Sequence, residues 1–187
     1  MNLKTIIIIL SLFCFSAISQ NIKQDSCQLF FKEIGVKDFI LGSNYSQFIK
    51  DSKSFKRKFN KESVYGIDVV TFNENIILLK EKKTVQYNLK FHSDTLMDYS
   101  FRIKAGNFRL ATYYYQKVLK LLEKNNKNSF INKGGYSFMK TTKECQKNFN
   151  LEQEEGQYYI SGGISYESPI WEQQFKDYMK ATGQDKE

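Results

Sequence analysis

The chain has 187 residues, a length that suits one globular domain, and it carries a net charge of +8 from 28 basic and 20 acidic residues. It has one histidine and no HExxH or CxxC pattern, which argues against a zinc enzyme or zinc finger, and we expect neither a metal nor a cofactor. The basic balance is compatible with an anionic partner, and a codon bias toward lysine is the alternative explanation.

Residues 1–19 have the pattern of a secretory signal peptide. Lys4 supplies the positive charge, an apolar run follows, and Ala17 and Ser19 are small residues at the −3 and −1 positions of a cleavage site. We therefore expect cleavage between Ser19 and Gln20 and a secreted or periplasmic protein. The apolar run is shorter than the roughly 20 residues that span a bilayer, so no transmembrane span is expected once the signal is removed.

The mature chain is predicted to be a single domain over residues 20–187. Two cysteines are expected in it. Cys14 is removed with the signal, whereas Cys27 and Cys145 are retained. Because exported compartments are oxidising, we predict a disulfide between Cys27 and Cys145. Closing a loop of this length would stabilise the fold by about 4–5 kcal/mol in the chain-entropy model. The alternative is a pair of buried free thiols.

Apolar spacing predicts two helices at the start of the mature chain. Asp25 and Gly35 are the expected start and stop of a short helix whose apolar face includes Cys27. A second helix is expected to begin after Ser43 or Asn44. Its apolar stripe has the spacing of one helical face: Tyr45, Phe48, Ser52, Phe55 and Phe59. Its opposite side carries Lys50, Lys53, Arg57 and Lys61.

The middle of the chain is predicted to form an antiparallel meander. Two β-rich runs, 64–72 and 76–79, are separated by a turn signal at 73–75. The next two strands form a hairpin around a turn at 92–95, and apolar and polar residues alternate along both. The apolar set is Val85, Tyr87, Leu89, Phe91, Met97, Tyr99, Phe101 and Ile103. This alternation indicates a sheet with one buried and one solvated face.

The strongest helix is predicted to begin after Gly106 and Asn107 and to cover the buried face of the hairpin. Its apolar stripe is Phe108, Ala111, Tyr115, Val118 and Leu122. The predicted fold class is therefore α+β, an antiparallel meander of four or more strands with helices packed on one face as a two-layer sandwich.

The last third of the chain has weaker patterns. A short strand is expected within 134–140, followed by a short helix with Thr141 as its cap and with Cys145 and Phe149 on one face. The stretch 157–166 is interpreted as a bulged strand or as two strands around a Gly-Gly pair. Ser168 and Pro169 are typical of the start of a final helix.

No recognisable catalytic constellation is present, and no catalytic residue is assigned. His92 is expected in a surface turn beside Asp94. Ser165 lacks the following glycine that a nucleophile elbow requires. A glycosidase-type carboxylate pair needs only proximity in space, which leaves a carboxylate-only hydrolase as an alternative. The one cluster of acids lies in a stretch that we interpret as a solvated loop: Glu152, Glu154 and Glu155.

Two basic surfaces are the candidates for contact with an anionic partner. One is the basic side of the second helix, with Lys50, Lys53, Arg57 and Lys61, and the other is the solvated face of the hairpin, with Lys90, Arg102 and Lys104. An ordinary solvated surface is the alternative. Nucleic acid is not expected as a partner, because the protein is exported and the aromatic residues lie on the opposite face of the strands.

These observations favour an exported binding or interaction protein of a bacterial-type cell envelope, whose partner is another envelope or secreted protein. The order of helix and meander over about residues 42–124 resembles periplasmic inhibitor and envelope-assembly domains in architecture, without a diagnostic motif. The two alternatives are a small secreted hydrolase with a carboxylate-only active site and a basic module that binds anionic envelope polymers.

Overall fold

The computed structural model describes residues 31–54, 58–125, 131–132, 137–141, 145–167, 169–181 and 183. The predicted signal peptide, Cys27 and Arg57 lie outside this part of the chain. The described helices are α1 (Tyr45–Ser54), α2 (Phe108–Asn125) and α3 (Pro169–Ala181), and a 3-10 turn at Lys32–Ile34 precedes them. The described strands are β1 (Asn60–Val64), β2 (Ile67–Leu78), β3 (Glu81–His92), β4 (Thr95–Gly106), β5 (Ile131–Asn132), β6 (Ser137–Thr141), β7 (Cys145–Glu154) and β8 (Gln157–Tyr166).

The eight described strands form one antiparallel sheet in the order β1-β2-β3-β4-β8-β7-β6-β5. Strands β1 to β4 are a meander. The chain then passes through α2, and β8 returns to pair with β4, so that β4 and β8 lie at the centre of the sheet. The predicted α+β fold class with an antiparallel meander is confirmed.

Tight turns connect the long strands, and both central residues of each turn have a positive φ. The turns are Tyr65-Gly66, Leu79-Lys80, Ser93-Asp94 and Glu155-Gly156. Two-residue turns of this left-handed kind match the right-handed twist of the strands that they join. Leu79 and Lys80 adopt it without glycine or asparagine, at about 1–2 kcal/mol per residue. Packing of the Leu79 side chain against the core offsets part of that cost.

The turn predicted at 73–75 is wrong, because β2 runs without interruption from Ile67 to Leu78. Every residue of β2 is paired with β3, from Ile67 opposite His92 to Leu78 opposite Glu81. At the predicted turn, Thr84 Oγ1 donates a hydrogen bond of 3.1 Å to Asn75 Oδ1 across the two strands. Cross-strand pairing therefore overrides the local turn preference of asparagine.

One face of the sheet, called here the core face, is covered by α1 and α2. From α1, the Phe48 ring lies 6.0 Å from Phe72 and 5.9 Å from Phe91, measured between ring centroids. From α2, the Tyr115 ring stacks on Phe149 at 5.1 Å. The other buried residues of the predicted α2 stripe are Ala111, Val118 and Leu122. Phe108 departs from that stripe, since it is 49% exposed and lies beside Tyr158.

A half-buried carboxylate, Asp38, ties the segment before α1 to the core face. Asp38 Oδ1 accepts a hydrogen bond of 2.6 Å from the Tyr99 hydroxyl, and the same carboxylate accepts backbone N–H groups of Phe31 and Lys32. Burial, followed by the negative charge of Asp38, raises the pKa of the Tyr99 hydroxyl well above its usual value. The Tyr87 hydroxyl accepts the backbone N–H of Lys37 at 2.8 Å. Both tyrosines therefore hold this segment against the sheet.

The short helix predicted after Thr141 is wrong, because Cys145–Glu154 is the strand β7. Cys145 and Phe149 do share a face, but it is the core face of the sheet. Lys147, which is 5% exposed, lies between them at an inward position and hides the alternation in the sequence. The stretch 157–166 is one continuous strand, so of the two interpretations the break into two strands is wrong. Its pairing is regular at the glycines, and the register shift between β4 and β8 lies between Lys104 and Gly106 of β4.

The opposite face of the sheet, called here the open face, is covered by α3 at one end. Ile67 and Val69 alternate with core residues of β2 and pack against Tyr178 of α3. Lys90 Nζ lies 4.6 Å from the centroid of the Phe175 ring, on the same face. Among the described helices, α3 is the one that packs there, which leaves the centre of the open face accessible.

Candidate functional site

Two rows of mostly polar residues cross the centre of the open face, one residue from each of five neighbouring strands. The first row is Thr71, Asn88, Ser100, Gly163 and Asn148, and the second is Asn73, Gln86, Arg102, Ser161 and Asn150. Five strands span about 19 Å at the usual strand spacing. Most of these residues line a groove with a volume of about 460 Å³.

Arg102 is the centre of the charged contacts in this groove. Its Nη1 atom donates a hydrogen bond of 2.5 Å to Glu154 Oε2, and its Nε atom lies 3.5 Å from Glu152 Oε2. The guanidinium carbon lies 3.8 Å from the centroid of the Tyr159 ring. Ser161 Oγ donates a hydrogen bond of 2.5 Å to Glu152 Oε1. These contacts hold the side chains in fixed positions and balance the positive charge of Arg102.

Two polar atoms in the groove are shielded from water and have no hydrogen-bond partner. They are Asn88 Oδ1 and Arg102 Nε, on diagonal neighbours of β3 and β4. A buried polar group without a partner typically costs about 1–3 kcal/mol, so such groups are uncommon in folded proteins. Arg102 Nε is nevertheless ion-paired with Glu152, so Asn88 Oδ1 is the atom of the two that has neither contact. Because both atoms are shielded even from water, a ligand in the groove would reach them only after the two side chains rotate.

The Gly-Gly pair of β8, Gly162 and Gly163, lies beneath this groove. Glycine is needed at both positions because neighbouring atoms crowd both faces of the strand there. A Cβ atom at Gly162 would lie 2.8 Å from the Phe101 ring and 2.9 Å from the Phe31 ring on the core face. A Cβ atom at Gly163 would lie 2.8 Å from the backbone oxygen of Tyr99. The glycines therefore serve close packing, and Ser161 beside them is held by Glu152.

A smaller cavity of about 350 Å³ lies between the sheet and α3. Lys90 Nζ and Asp98 Oδ1 form an ion pair of 2.8 Å at its edge, and both side chains are about 15% exposed. Glu167 and Glu172 also line this cavity. Asp98 is thus ion-paired with Lys90, while Glu167 and Glu172 line the same cavity, Glu172 from α3.

The predicted basic residues fall into two groups on opposite faces of the sheet. Lys90, Arg102 and Lys104 share the open face, and the first two are paired with carboxylates. Lys50 and Lys53 are exposed on α1, which packs on the core face. Lys61 is on the edge strand β1 and not on a helix as expected.

Lys61 links the edge strand to its neighbours. Its Nζ atom lies 2.8 Å from Asp68 Oδ2 and 4.5 Å from the centroid of the Tyr45 ring. The hydrogen bond with Asp68 raises the pKa of Lys61 and, together with a hydrogen bond from Ser63, lowers the pKa of Asp68. The described residues of the two predicted basic surfaces therefore do not converge on one surface, and the prediction of an anion-binding surface remains a prediction.

Cys145 is fully buried at the start of β7, and it is the only cysteine among the described residues. Its predicted partner, Cys27, lies outside them, so the disulfide remains a prediction. The first described residue after Cys27 is Phe31, whose ring packs 4.7 Å from Phe101 on the same core face.

The sequence predicted half of the groove. The alternation of β3 and β4 placed Gln86, Asn88 and Ser100 on the solvated face. Asn148 and Asn150 were missed because β7 was predicted to begin as a helix, and Glu152 and Glu154 were assigned to a loop. The signal that could have located them is the run of inward Cys145 and Phe149 with outward Gln146, Asn148 and Asn150.

Comparison with known proteins does not assign a family. No protein-family model matches the chain, and no curated protein or solved structure matches it significantly. Within the described residues, no group of three metal-ligating side chains is placed to hold an ion. No described helix is long and apolar enough to cross a membrane. Any function must therefore be argued from the groove itself.

Proposed function

We propose that this chain is an exported binding protein whose partner contacts the open face of the sheet. The observation that carries the proposal is the groove of about 460 Å³, lined by polar side chains from five strands. Side chains on rigid strands lose little conformational freedom on binding, which favours affinity. The partner we expect is a component of the cell envelope. It is either another envelope or secreted protein or a molecule attached to such a protein.

Export and a disulfide are part of this proposal. The N-terminal pattern supports cleavage before Gln20, and the burial of Cys145 on the core face, where the segment that follows Cys27 also packs through Phe31, supports their pairing. Mass spectrometry of the exported protein is expected to find a chain that begins at Gln20 and is two hydrogens lighter than its reduced form. A chain that retains residues 1–19 would contradict export by cleavage.

The binding role is tested by filling the groove. Asn148→Trp adds a large side chain at a half-buried position in the first polar row, and Gln116→Trp is the matched control on the exposed side of α2. Immobilised wild-type protein and the control are expected to retain the same component of an envelope extract, and Asn148→Trp is expected to lose it. Equal retention by both tryptophan variants would contradict the proposal.

A carboxylate-only hydrolase is the second candidate, and the smaller cavity is the observation that favours it. Asp98, Glu167 and Glu172 line that cavity, although Asp98 is ion-paired with Lys90. If this candidate is correct, the protein cleaves chromogenic glycosides and Glu167→Gln abolishes the cleavage. A wild-type protein with no turnover of such substrates would leave binding as the function.

A module for anionic envelope polymers is supported less well by the open face. Lys90 and Arg102 are neutralised by Asp98 and by Glu152 and Glu154, which leaves Lys104 as an exposed cation of that group. Binding through a basic surface would weaken when salt is raised from low to physiological concentration. Retention that does not change with salt would argue against this alternative.

A further inference from the structure

The groove presents many hydrogen-bonding groups and almost no net charge. Of its lining residues, Arg102 and Glu152 are charged, and they lie against each other. The remaining polar side chains are neutral amides and hydroxyls: Thr71, Gln86, Asn88, Ser100, Asn148, Asn150 and Ser161. An ionic ligand would find no unpaired counter-charge among these residues. A neutral ligand that offers both donors and acceptors would match them.

The unpaired atoms define what such a ligand must supply. Asn88 Oδ1 is an acceptor without a donor, whereas Arg102 Nε is ion-paired with Glu152 Oε2 at 3.5 Å in a geometry that makes no hydrogen bond. A hydroxyl group can serve either atom, because it is a donor and an acceptor at once. Vicinal hydroxyls could therefore satisfy both neighbouring side chains after small rotations about their side-chain torsions.

The lining argues for a carbohydrate over a peptide. Protein and peptide partners usually anchor through aromatic or arginine side chains that fill well-packed pockets. An arginine anchor would need a free carboxylate, whereas Glu152 in the lining is already ion-paired with Arg102. The one large apolar residue in the lining is Phe101, which is 2% exposed and belongs to the core. Among the lining residues, the groove therefore offers no apolar pocket for an anchor side chain, whereas its rows of amides and hydroxyls suit a chain of sugar hydroxyls.

We propose that the groove on the open face binds a neutral oligosaccharide that lies along the two polar rows. The inference rests on the proposed binding function and names its ligand class. Asn88 and Arg102 contact sugar hydroxyls at the centre, and Asn148 and Asn150 contact them from β7. The ligand lies across the strands, parallel to the rows.

The test uses the purified mature protein on an array of neutral and acidic glycans, with a soluble Gly-Ser-Asn peptide as a further probe. At least one neutral oligosaccharide is expected to bind, and its Kd is expected to change less than about twofold between 50 and 500 mM salt because no net charge is paired. Asn88→Ala is expected to weaken this binding about five- to tenfold through loss of one hydrogen-bonding side chain. Gln116→Ala on α2 is the matched control and is expected to bind like the wild type.

Asn88→Ala is also informative because it removes a buried acceptor that lacks a partner. Its midpoint of urea unfolding is expected to equal or exceed that of the wild type, so weaker binding cannot be attributed to unfolding. The inference is overturned by an array on which no neutral glycan binds, by salt-sensitive binding of acidic glycans alone, or by binding of the peptide alone. If Asn148→Trp still loses the envelope component in any of these cases, the binding function stands and only the ligand class is wrong.

Discussion

The two faces of the sheet are built from the same strands and have opposite compositions. On the core face, Leu89, Tyr99 and Phe101 are at most 2% exposed and pack under two helices. On the open face, their strand neighbours Asn88, Ser100 and Arg102 line a groove and leave polar atoms unpaired. Because side chains alternate along a strand, one set of positions determines stability while the other is free to carry binding groups. The following substitutions test that division.

The largest effect is expected on the core face, for Phe101→Ala. This change removes a ring that contacts Phe31 at 4.7 Å and leaves a cavity in the core face. The free energy of unfolding, measured by urea denaturation, is expected to fall by about 3–5 kcal/mol. The neighbouring open-face change Ser100→Ala is expected to stay within about 0.5 kcal/mol of the wild type. Equal losses for the two variants would show that the faces are not divided in this way.

Tyr99→Phe is expected to cost about 1.5–3 kcal/mol, since it removes the hydroxyl that donates to the half-buried Asp38 carboxylate. The pH dependence has a definite sign. The pKa of Tyr99 is raised in the folded state, so its contribution is present below the usual tyrosine value of about 10 and is lost as pH rises through the raised value. Urea unfolding at pH 7 and at alkaline pH is expected to show a smaller difference between wild type and Tyr99→Phe at the higher pH. A difference that grows with pH would contradict this assignment.

Gly162→Ala is expected to destabilise the protein by about 1–3 kcal/mol, because the added methyl group would meet the Phe101 and Phe31 rings. Asn148→Ala, on the adjacent strand but facing the groove, is the control and is expected to be nearly neutral. Thermal unfolding followed by circular dichroism distinguishes them. If Gly162→Ala leaves the stability of the protein unchanged, the core face is less tightly packed than its ring distances indicate.

The smallest effect is expected at the edge of the sheet, for Asp68→Asn. Its ion pair with Lys61 is about one third exposed, and such pairs contribute about 0.2–1 kcal/mol. Because the pKa of Asp68 is lowered in the folded state, this contribution is present above about pH 4 and is lost as pH falls through the lowered value. Urea midpoints of the variant and the wild type are therefore expected to converge in acid. Glu62→Gln, on the same exposed strand, is the control.

The parts of the fold that were predictable from sequence are those specified by neighbouring residues. The hairpin of β3 and β4 was predicted because apolar and polar residues alternate along most of both strands, and α2 because its stripe keeps helical spacing. The alternation breaks at a bulge in β4, where Leu96 joins the core face and Met97, predicted on that face, packs with Ile67 and Val69 on the open face. The turn at Leu79-Lys80 was missed because neither residue favours a positive φ. Strand β7 was missed because Lys147 occupies an inward position.

The groove was only half predictable for a different reason. Gln86, Asn88 and Ser100 belong to a local hairpin, so their shared face follows from the alternation. Asn148 and Asn150 join them only because β8 pairs with β4 and carries β7 beside it. That pairing connects residues more than 40 positions apart, such as Ser100 and Gly163, and no local pattern specifies it. The unpaired state of Asn88 Oδ1 depends on three-dimensional packing and has no signature in the sequence.

The most direct test of the account is a nuclear magnetic resonance titration of the labelled mature protein with soluble envelope extract, observed at the side-chain amide signals. Gln86, Asn88, Asn148 and Asn150 report on the groove, while Gln47 and Gln116 report on the exposed sides of α1 and α2. We expect the four groove signals to shift and the two helix signals to stay unchanged. Shifts at Gln47 or Gln116, with the groove signals unchanged, would place the binding surface elsewhere and contradict the division of the two faces.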